Sequence, residues 1–126
     1  MSKLAIHTDK APAAIGVYSQ AIKAGNTVYV SGQIPLIPET GEMISDNIED
    51  QIHQVFKNMQ AIAEESGGDL SNAVKVTVFL TDLSNFGAVN EIMAQYFPEP
   101  YPARAALEIS ALPKGALVEA DAILSI

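Results

Sequence analysis

The chain carries a single arginine, Arg104, set among small and apolar neighbours in Tyr101-Pro102-Ala103-Arg104-Ala105-Ala106-Leu107-Glu108. A guanidinium is always charged and offers a planar fork that fits a carboxylate or phosphate through two parallel hydrogen bonds. Unpaired in an apolar strand it is costly, so Arg104 needs a protein carboxylate or an anionic ligand. Position alone leaves both open, an ion pair being the commoner arrangement. In the last strand Glu119 and Asp121 share a face with Leu117 and Ile123, so charge projects there among smaller residues and leaves room for a ligand or another chain. Asn90 lies about 40° from Phe86 on a helical wheel, at the edge of an apolar arc, where a half-buried amide needs partners. Those partners can be a loop backbone or a ligand. Ser31, followed by Gly32 at a strand end, carries a hydroxyl of a kind that more often bonds backbone than substrate.

Hydrophobic periodicity gives the elements that must hold these groups. Lys3–His7 alternates weakly, with Leu4 and Ile6 on one side, as a short strand. The loop Ala11-Pro12-Ala13-Ala14-Ile15-Gly16 delivers Val17-Tyr18-Ser19-Gln20-Ala21-Ile22, and a Gly25-Asn26 turn leads into the strand Thr27–Ile34. Ile48, Ile52, Val55, Phe56, Met59, Ile62 and Ala63 make one buried helical stripe, opened by an Asp46/Glu49 capping box and stopped by Gly67-Gly68. Ala73–Thr81 alternates with Val74, Val76, Val78 and Leu80 toward the core. A second helix sets Phe86, Val89, Met93, Tyr96 and Phe97 on one arc before a proline cluster ends it. Ala103–Ile109 and Leu117–Ser125 are the last two strands. The order β-β-β-α-β-α-β-β predicts an α+β fold: a mixed six-stranded sheet with both helices on one face. The other face is then expected to carry Arg104 and the acidic groups of the last strand together. A simple hairpin centred near Pro113-Lys114 sets Glu119 opposite Glu108, so Arg104 and Glu119 do not neutralise each other as direct cross-strand partners.

Composition narrows the function. The 126 residues suit one domain, and with 48% hydrophobic against 17% charged residues some apolar surface is expected to be covered by other subunits. The formal charge, 7 − 15 = −8, argues against nucleic acid and against a basic membrane-surface helix. With no cysteine there is no disulfide, thiolate nucleophile or Cys-ligated metal. Cysteine-free composition, a polar Thr8-Asp9-Lys10 in place of a signal-peptide core, and the lack of any ~18-residue apolar run predict a soluble cytoplasmic protein. His53 falls on the polar side of the first helix and shares no metal motif with His7, while Asp46, Glu49 and Asp50 serve the helix N-terminus. No metal or phosphate-loop cofactor is expected.

An ordered set of motifs makes the chain similar to the RidA/YjgF family, the reactive-intermediate (enamine/imine) deaminases. The set runs from Ala11-Pro12-Ala13-Ala14-Ile15-Gly16 with Tyr18 through Ser31-Gly32-Gln33-Ile34-Pro35 and Thr40-Gly41-Glu42 to Val74–Leu83. It continues with Phe86, Val89-Asn90 and Pro102-Ala103-Arg104, and closes with Leu112-Pro113-Lys114 and Glu119. The resemblance implies one chorismate-mutase-like α+β domain over residues 1–126, a homotrimer with clefts between subunits, and no cofactor. It implies hydrolysis of 2-aminoacrylate or 2-iminobutyrate to a 2-keto acid and ammonia. Arg104 matches the arginine that clamps the substrate carboxylate and Glu119 the glutamate that handles water. Tyr18, Ser31, Gly32, Asn90 and Ala106 match substrate-binding positions of the cleft.

Two departures stand out. Ala106 occupies a position where the family often has Cys, and Val17 one where it often has Pro. If Ala106 meets substrate through its backbone, activity survives the exchange. The alternative is a binding protein that senses keto acids in the same cleft without turnover. Glu119 favours the enzyme, since a pure carboxylate binder has no need of it. A ribonuclease role, also attached to this family, fits poorly with the acidic charge.

Overall fold

A two-residue turn closes the tightest hairpin: Gly25 takes φ 60°, a conformation glycine adopts freely at the first turn position. Ala24 then pairs with Thr27. The structure, a computed structural model, describes residues 2–126. Its strands are β1 (Leu4–Ile6), β2 (Ala21–Ala24), β3 (Thr27–Gln33), β4 (Ala73–Leu80), β5 (Ala103–Glu108) and β6 (Val118–Ser125), in the spatial order β1-β2-β3-β6-β4-β5. All pairs are antiparallel except β4–β5. Helix α1 (Ile48–Glu65) links β3 to β4, and α2 (Phe86–Tyr96) makes the crossover that parallel β4 and β5 require. The expected α+β architecture, two helices on one face of a mixed sheet, is the one that forms.

The core lies between helices and sheet. Ile52, Val55, Phe56, Met59 and Ile62 of α1 meet Val28 and Val30 of β3, Ala120, Ala122 and Leu124 of β6, and Val76, Val78 and Leu80 of β4. Phe56 packs edge-on against Phe97 at 5.3 Å between ring centroids, a favoured aromatic geometry. Ile92, unmarked by the sequence pattern, joins Val89 and Met93 on the buried side of α2.

Three sequence expectations are corrected. The cap of α1 is Asn47, whose side chain accepts from the Asp50 N–H at 3.0 Å; the Asp46/Glu49 box does not form. Val74 is 49% exposed, because a bulge between Ala73 and Lys75 shifts the strand phase and buries Ala73 in its place. His53, on the polar side of α1 as expected, also ties α1 to α2: its Nδ1 lies 2.8 Å from the Tyr96 hydroxyl.

The third correction matters most. No β5–β6 hairpin forms, since β6 inserts between β3 and β4. The α2 crossover makes β5 parallel to β4, and the residues beyond them bond to β4's end: Ile109 N–H to Leu80 O at 2.9 Å and Thr81 N–H to Leu117 O at 3.2 Å. Glu119 therefore pairs with Phe79, and Arg104 with Val76.

Candidate active site

The seven residues singled out in the sequence fall into two groups. Tyr18, Ser31, Gly32 and Glu119 line one hollow of about 500 Å³, with Pro12, Ile34 and Lys114 among its other walls. The pairing of β3 with β6 is irregular between Val30 and Gln33; there Gly32 lies against Glu119 of β6, while the Ser31 N–H donates to Gln20 O at 3.0 Å, just before β2. A Cβ at Gly32 would stand 2.9 Å from Cδ of Glu119 and nearer still to its carboxylate oxygen. Only a residue without a side chain lets Glu119 lie there. The Ser31 hydroxyl donates to Ser19 O at 2.5 Å, the backbone bond expected of a strand-end serine. Tyr18 is half exposed, and its hydroxyl accepts from the Ile15 N–H at 3.4 Å.

Arg104, Asn90 and Ala106 belong elsewhere. Arg104 and Asn90 line a second hollow of about 450 Å³ with Tyr101 and Pro102, and Arg104 and Ala106 a third of about 430 Å³ with Leu83 and Phe86. One guanidinium nitrogen donates to Asn90 Oδ1 at 2.5 Å, and the guanidinium carbon stands 4.7 Å from the centre of the Phe86 ring, a cation–π distance. Arg104 is exposed, and among the described residues no carboxylate of this chain lies within ion-pair distance of it.

The two groups also lie on opposite faces of the sheet, contrary to the single polar face expected. Paired residues point the same way. Arg104 pairs with buried Val76, so it points to the helix side, where it meets α2. Glu119 pairs with Phe79 on the other side. Strand β4 separates the two, adding two strand spacings, roughly 10 Å, between their backbones. One chain therefore holds the two candidate groups apart: a cation on the β5 edge and a carboxylate in the hollow beside β3.

The carboxylate is electrostatically unusual. Burial pushes the Glu119 pKa upward, and the Asp121 carboxylate on the same strand face adds to the rise. A glutamate so raised is a better proton acceptor near neutrality than an ordinary one.

Sequence reasoning missed the groups that hold the first hollow in shape. Gln20, almost fully buried, accepts from Thr8 N–H at 2.7 Å and donates to Thr8 O and Pro12 O at 3.0 and 2.8 Å. It fastens the loop that carries Tyr18. Asn58 of α1 donates to Leu36 O at 3.0 Å and fastens another wall. The available signal was polar amides bordering apolar patterns.

Comparison with known proteins identifies the family. A model of the family described as Endoribonuclease L-PSP matches residues 8–126. The protein is 51% identical over 126 residues to Reactive Intermediate Deaminase A, chloroplastic, of Arabidopsis thaliana, covering 100% of this chain and 67% of that protein. It is 47% identical over 118 residues to 2-iminobutanoate/2-iminopropanoate deaminase of Homo sapiens, covering 94% of this chain and 86% of the human one. RidA from the Antarctic bacterium Psychrobacter sp. PAMC 21119 has a crystal structure that superimposes with a TM-score of 0.94 at 54% identity, over 98% of this chain and 99% of that one. With sequence and fold matching across almost the whole length, the chain belongs to the RidA/YjgF family.

Proposed function

We propose that the protein is an enamine/imine deaminase, hydrolysing 2-iminobutyrate, 2-aminoacrylate and similar acids to 2-keto acids and ammonia, in clefts between the subunits of a homotrimer. Arg104 is the observation that carries the reading. Its fork is held by Asn90 and Phe86 yet meets no protein carboxylate among the described residues, which suits a seat for a small organic acid. Relatives named as deaminases at 51% and 47% identity supply the reaction class.

Assembly follows from the separation of the two groups. Arg104 and Glu119 lie on opposite faces of one sheet, so a substrate touching both needs Arg104 from one copy and Glu119 from another. The outer sheet face carries Tyr29 and Leu107, and the loop beside the hollow carries Ile15 and Val17, all exposed. Apolar groups in that number suit subunit contact.

In the assembled cleft the substrate carboxylate lies in the Arg104 fork. Tyr18, Ser31, Gly32 and Asn90 shape the space around it, with Ala106 contributing backbone. An enamine first tautomerises to its imine. Glu119 then takes a proton from water as the water oxygen bonds to C2, and the C=N electron pair moves to nitrogen, which receives that proton. Glu119 next carries the hydroxyl proton of the carbinolamine to the amine; the C–N bond breaks, ammonia leaves and the ketone remains. One water is consumed and one ammonia released, so the balance calls on no cofactor. The upward pKa shift of Glu119 favours turnover over mere sensing, since a proton acceptor gains from it.

RNA cleavage draws little support: an excess of eight negative charges and one arginine give the phosphate backbone little to hold. Cytoplasmic location is part of the proposal, because a cysteine-free chain draws nothing from an oxidising compartment.

A coupled assay tests the proposal. A serine or threonine dehydratase generates the imine while semicarbazide competes for it. The wild-type protein is expected to suppress trapping in favour of keto acid, and Arg104→Ala to leave trapping unchanged. A wild type that binds 2-ketobutyrate but never alters trapping would replace the enzyme reading with the sensor.

A further inference from the structure

Glu119 sits two residues into a segment whose backbone is tied down by a side chain outside the hollow. Gln51 of α1 is 1% exposed. Its Oε1 accepts from the Leu117 N–H at 2.8 Å, and its Nε2 donates to Ser45 O at 2.8 Å. Leu117 is the residue immediately before β6, and its carbonyl accepts from Thr81 N–H at 3.2 Å. Both backbone groups of Leu117 are therefore committed, one to the helix layer and one to the end of β4. The preceding turn is held by two local bonds, Gly115 N–H to Leu112 O and Ala116 N–H to Pro113 O at 3.3 and 3.2 Å, and by one exposed long-range bond from the Lys114 ammonium to Gly41 O.

The chemistry at Gln51 is narrowly specified. Leu117 offers a donor and Ser45 an acceptor, so the buried group between them must accept on one side and donate on the other. A neutral amide does both. An aliphatic side chain leaves two half-buried backbone groups without their partner, at a cost set by how far water can replace it. The start of β6 is where such a loss is felt, because the tight fit of Glu119 against Gly32 leaves the carboxylate little tolerance for a shift of its strand.

We propose that Gln51 is a positioning residue of the deaminase site: it fixes where β6 begins and so holds the Glu119 carboxylate in the hollow. The kinetic arm of the test rests on the deaminase reading; the spectroscopic arm does not. Two variants are compared. Gln51→Met keeps the side-chain length without the amide. Ser66→Ala removes another buried bond of α1, from the Ser66 hydroxyl to Ile62 O at 2.8 Å, at the end of the helix away from Leu117.

In the semicarbazide assay Gln51→Met is expected to lower kcat about tenfold with KM changed less than about twofold, since Arg104 still seats the carboxylate. Ser66→Ala is expected to lower Tm while keeping kcat. In carbon-13 NMR of glutamate-labelled protein, the Glu119 carboxyl, assigned with Glu119→Gln, is expected to titrate at lower pH in Gln51→Met than in wild type as water reaches it. Gln51→Glu, which keeps an acceptor for the Leu117 N–H, is expected to retain more kcat than Gln51→Met. A folded Gln51→Met with wild-type kcat and an unmoved Glu119 titration overturns the proposal, and so does an equal loss of kcat in Ser66→Ala. If the wild type shows no turnover, the deaminase reading fails alone, and the Glu119 titration decides the positioning role. If Gln51→Met does not fold, amide exchange in the wild type decides: a protected Leu117 N–H supports the tether, and loop-like exchange overturns it.

Discussion

A methyl group at Gly32 has nowhere to go except into Glu119. The atoms it would meet are the outer atoms of that side chain, which can swing aside, so the cost falls on geometry more than on folding. Gly32→Ala is expected to leave Tm within a few degrees of wild type and to lower kcat by about 100-fold, the scale of a misplaced catalytic group. Thermal melts and the coupled assay check both halves. Asp121 acts on the same carboxylate through charge. It is one of two causes raising the Glu119 pKa, burial being the larger. A base works in its ionised form, so a raised pKa sets the acidic limb of the kcat/KM profile at higher pH than an ordinary glutamate would. Asp121→Asn removes the repulsion, and the limb is expected to move to lower pH without reaching the ordinary range, because burial remains. A limb that stays in place would assign it to another group. Arg104 and Glu119 were legible in the sequence because a charge interrupting an apolar alternation stands out. Gly32's closeness to Glu119 was not, since it joins residues from two strands far apart in sequence.

Elements were legible to the extent that their signals are local. The stripe of α1 from Ile48 to Ala63 needs only helical spacing, and it became the core. The cap was misread because Asp46 and Asn47 are adjacent residues of similar capping strength, and only the backbone decides which one takes the extended conformation; Asn47 does, at φ −89° and ψ 128°. Asn47→Ala is expected to cost about 1 kcal/mol in urea unfolding and Asp46→Ala less than about 0.5 kcal/mol. The reverse order would restore the capping box. Val74 was misread because a bulge changes strand phase with no local mark beyond the residues it displaces. The position of β6 was illegible for another reason. Strand order is a long-range property, and a hairpin between sequence neighbours is the natural expectation until the α2 crossover and the bond from Thr81 to Leu117 are known. The amides of Gln51 and Asn58 lie seven positions apart on one flank of the apolar stripe. That spacing is visible in sequence, but only the loops they hold give it meaning.

For the whole molecule the question is whether one chain can work alone. The sheet sends Arg104 toward the helices and Glu119 toward the open face, and no relaxation of a packed six-stranded sheet brings them together. If the cleft joins Arg104 of one copy to Glu119 of the next, each single variant inactivates every site of its own assembly. Mixed assemblies behave differently. In a ring of three with heterologous contacts, a site is intact when the copy donating Glu119 carries Arg104→Ala and the copy donating Arg104 carries Glu119→Gln. Random exchange of equal amounts produces that combination at about one site in four. Arg104→Ala and Glu119→Gln, each inactive alone, are therefore expected to recover about a quarter of wild-type activity after dissociation, mixing and reassembly. Without subunit exchange no recovery is expected. If both residues served the same chain, every site in every mixture would lack one of them and exchange would restore nothing. Recovery thus separates a shared cleft from a self-contained one, even before an assembled structure is at hand, because only contributions from two copies complement in this way.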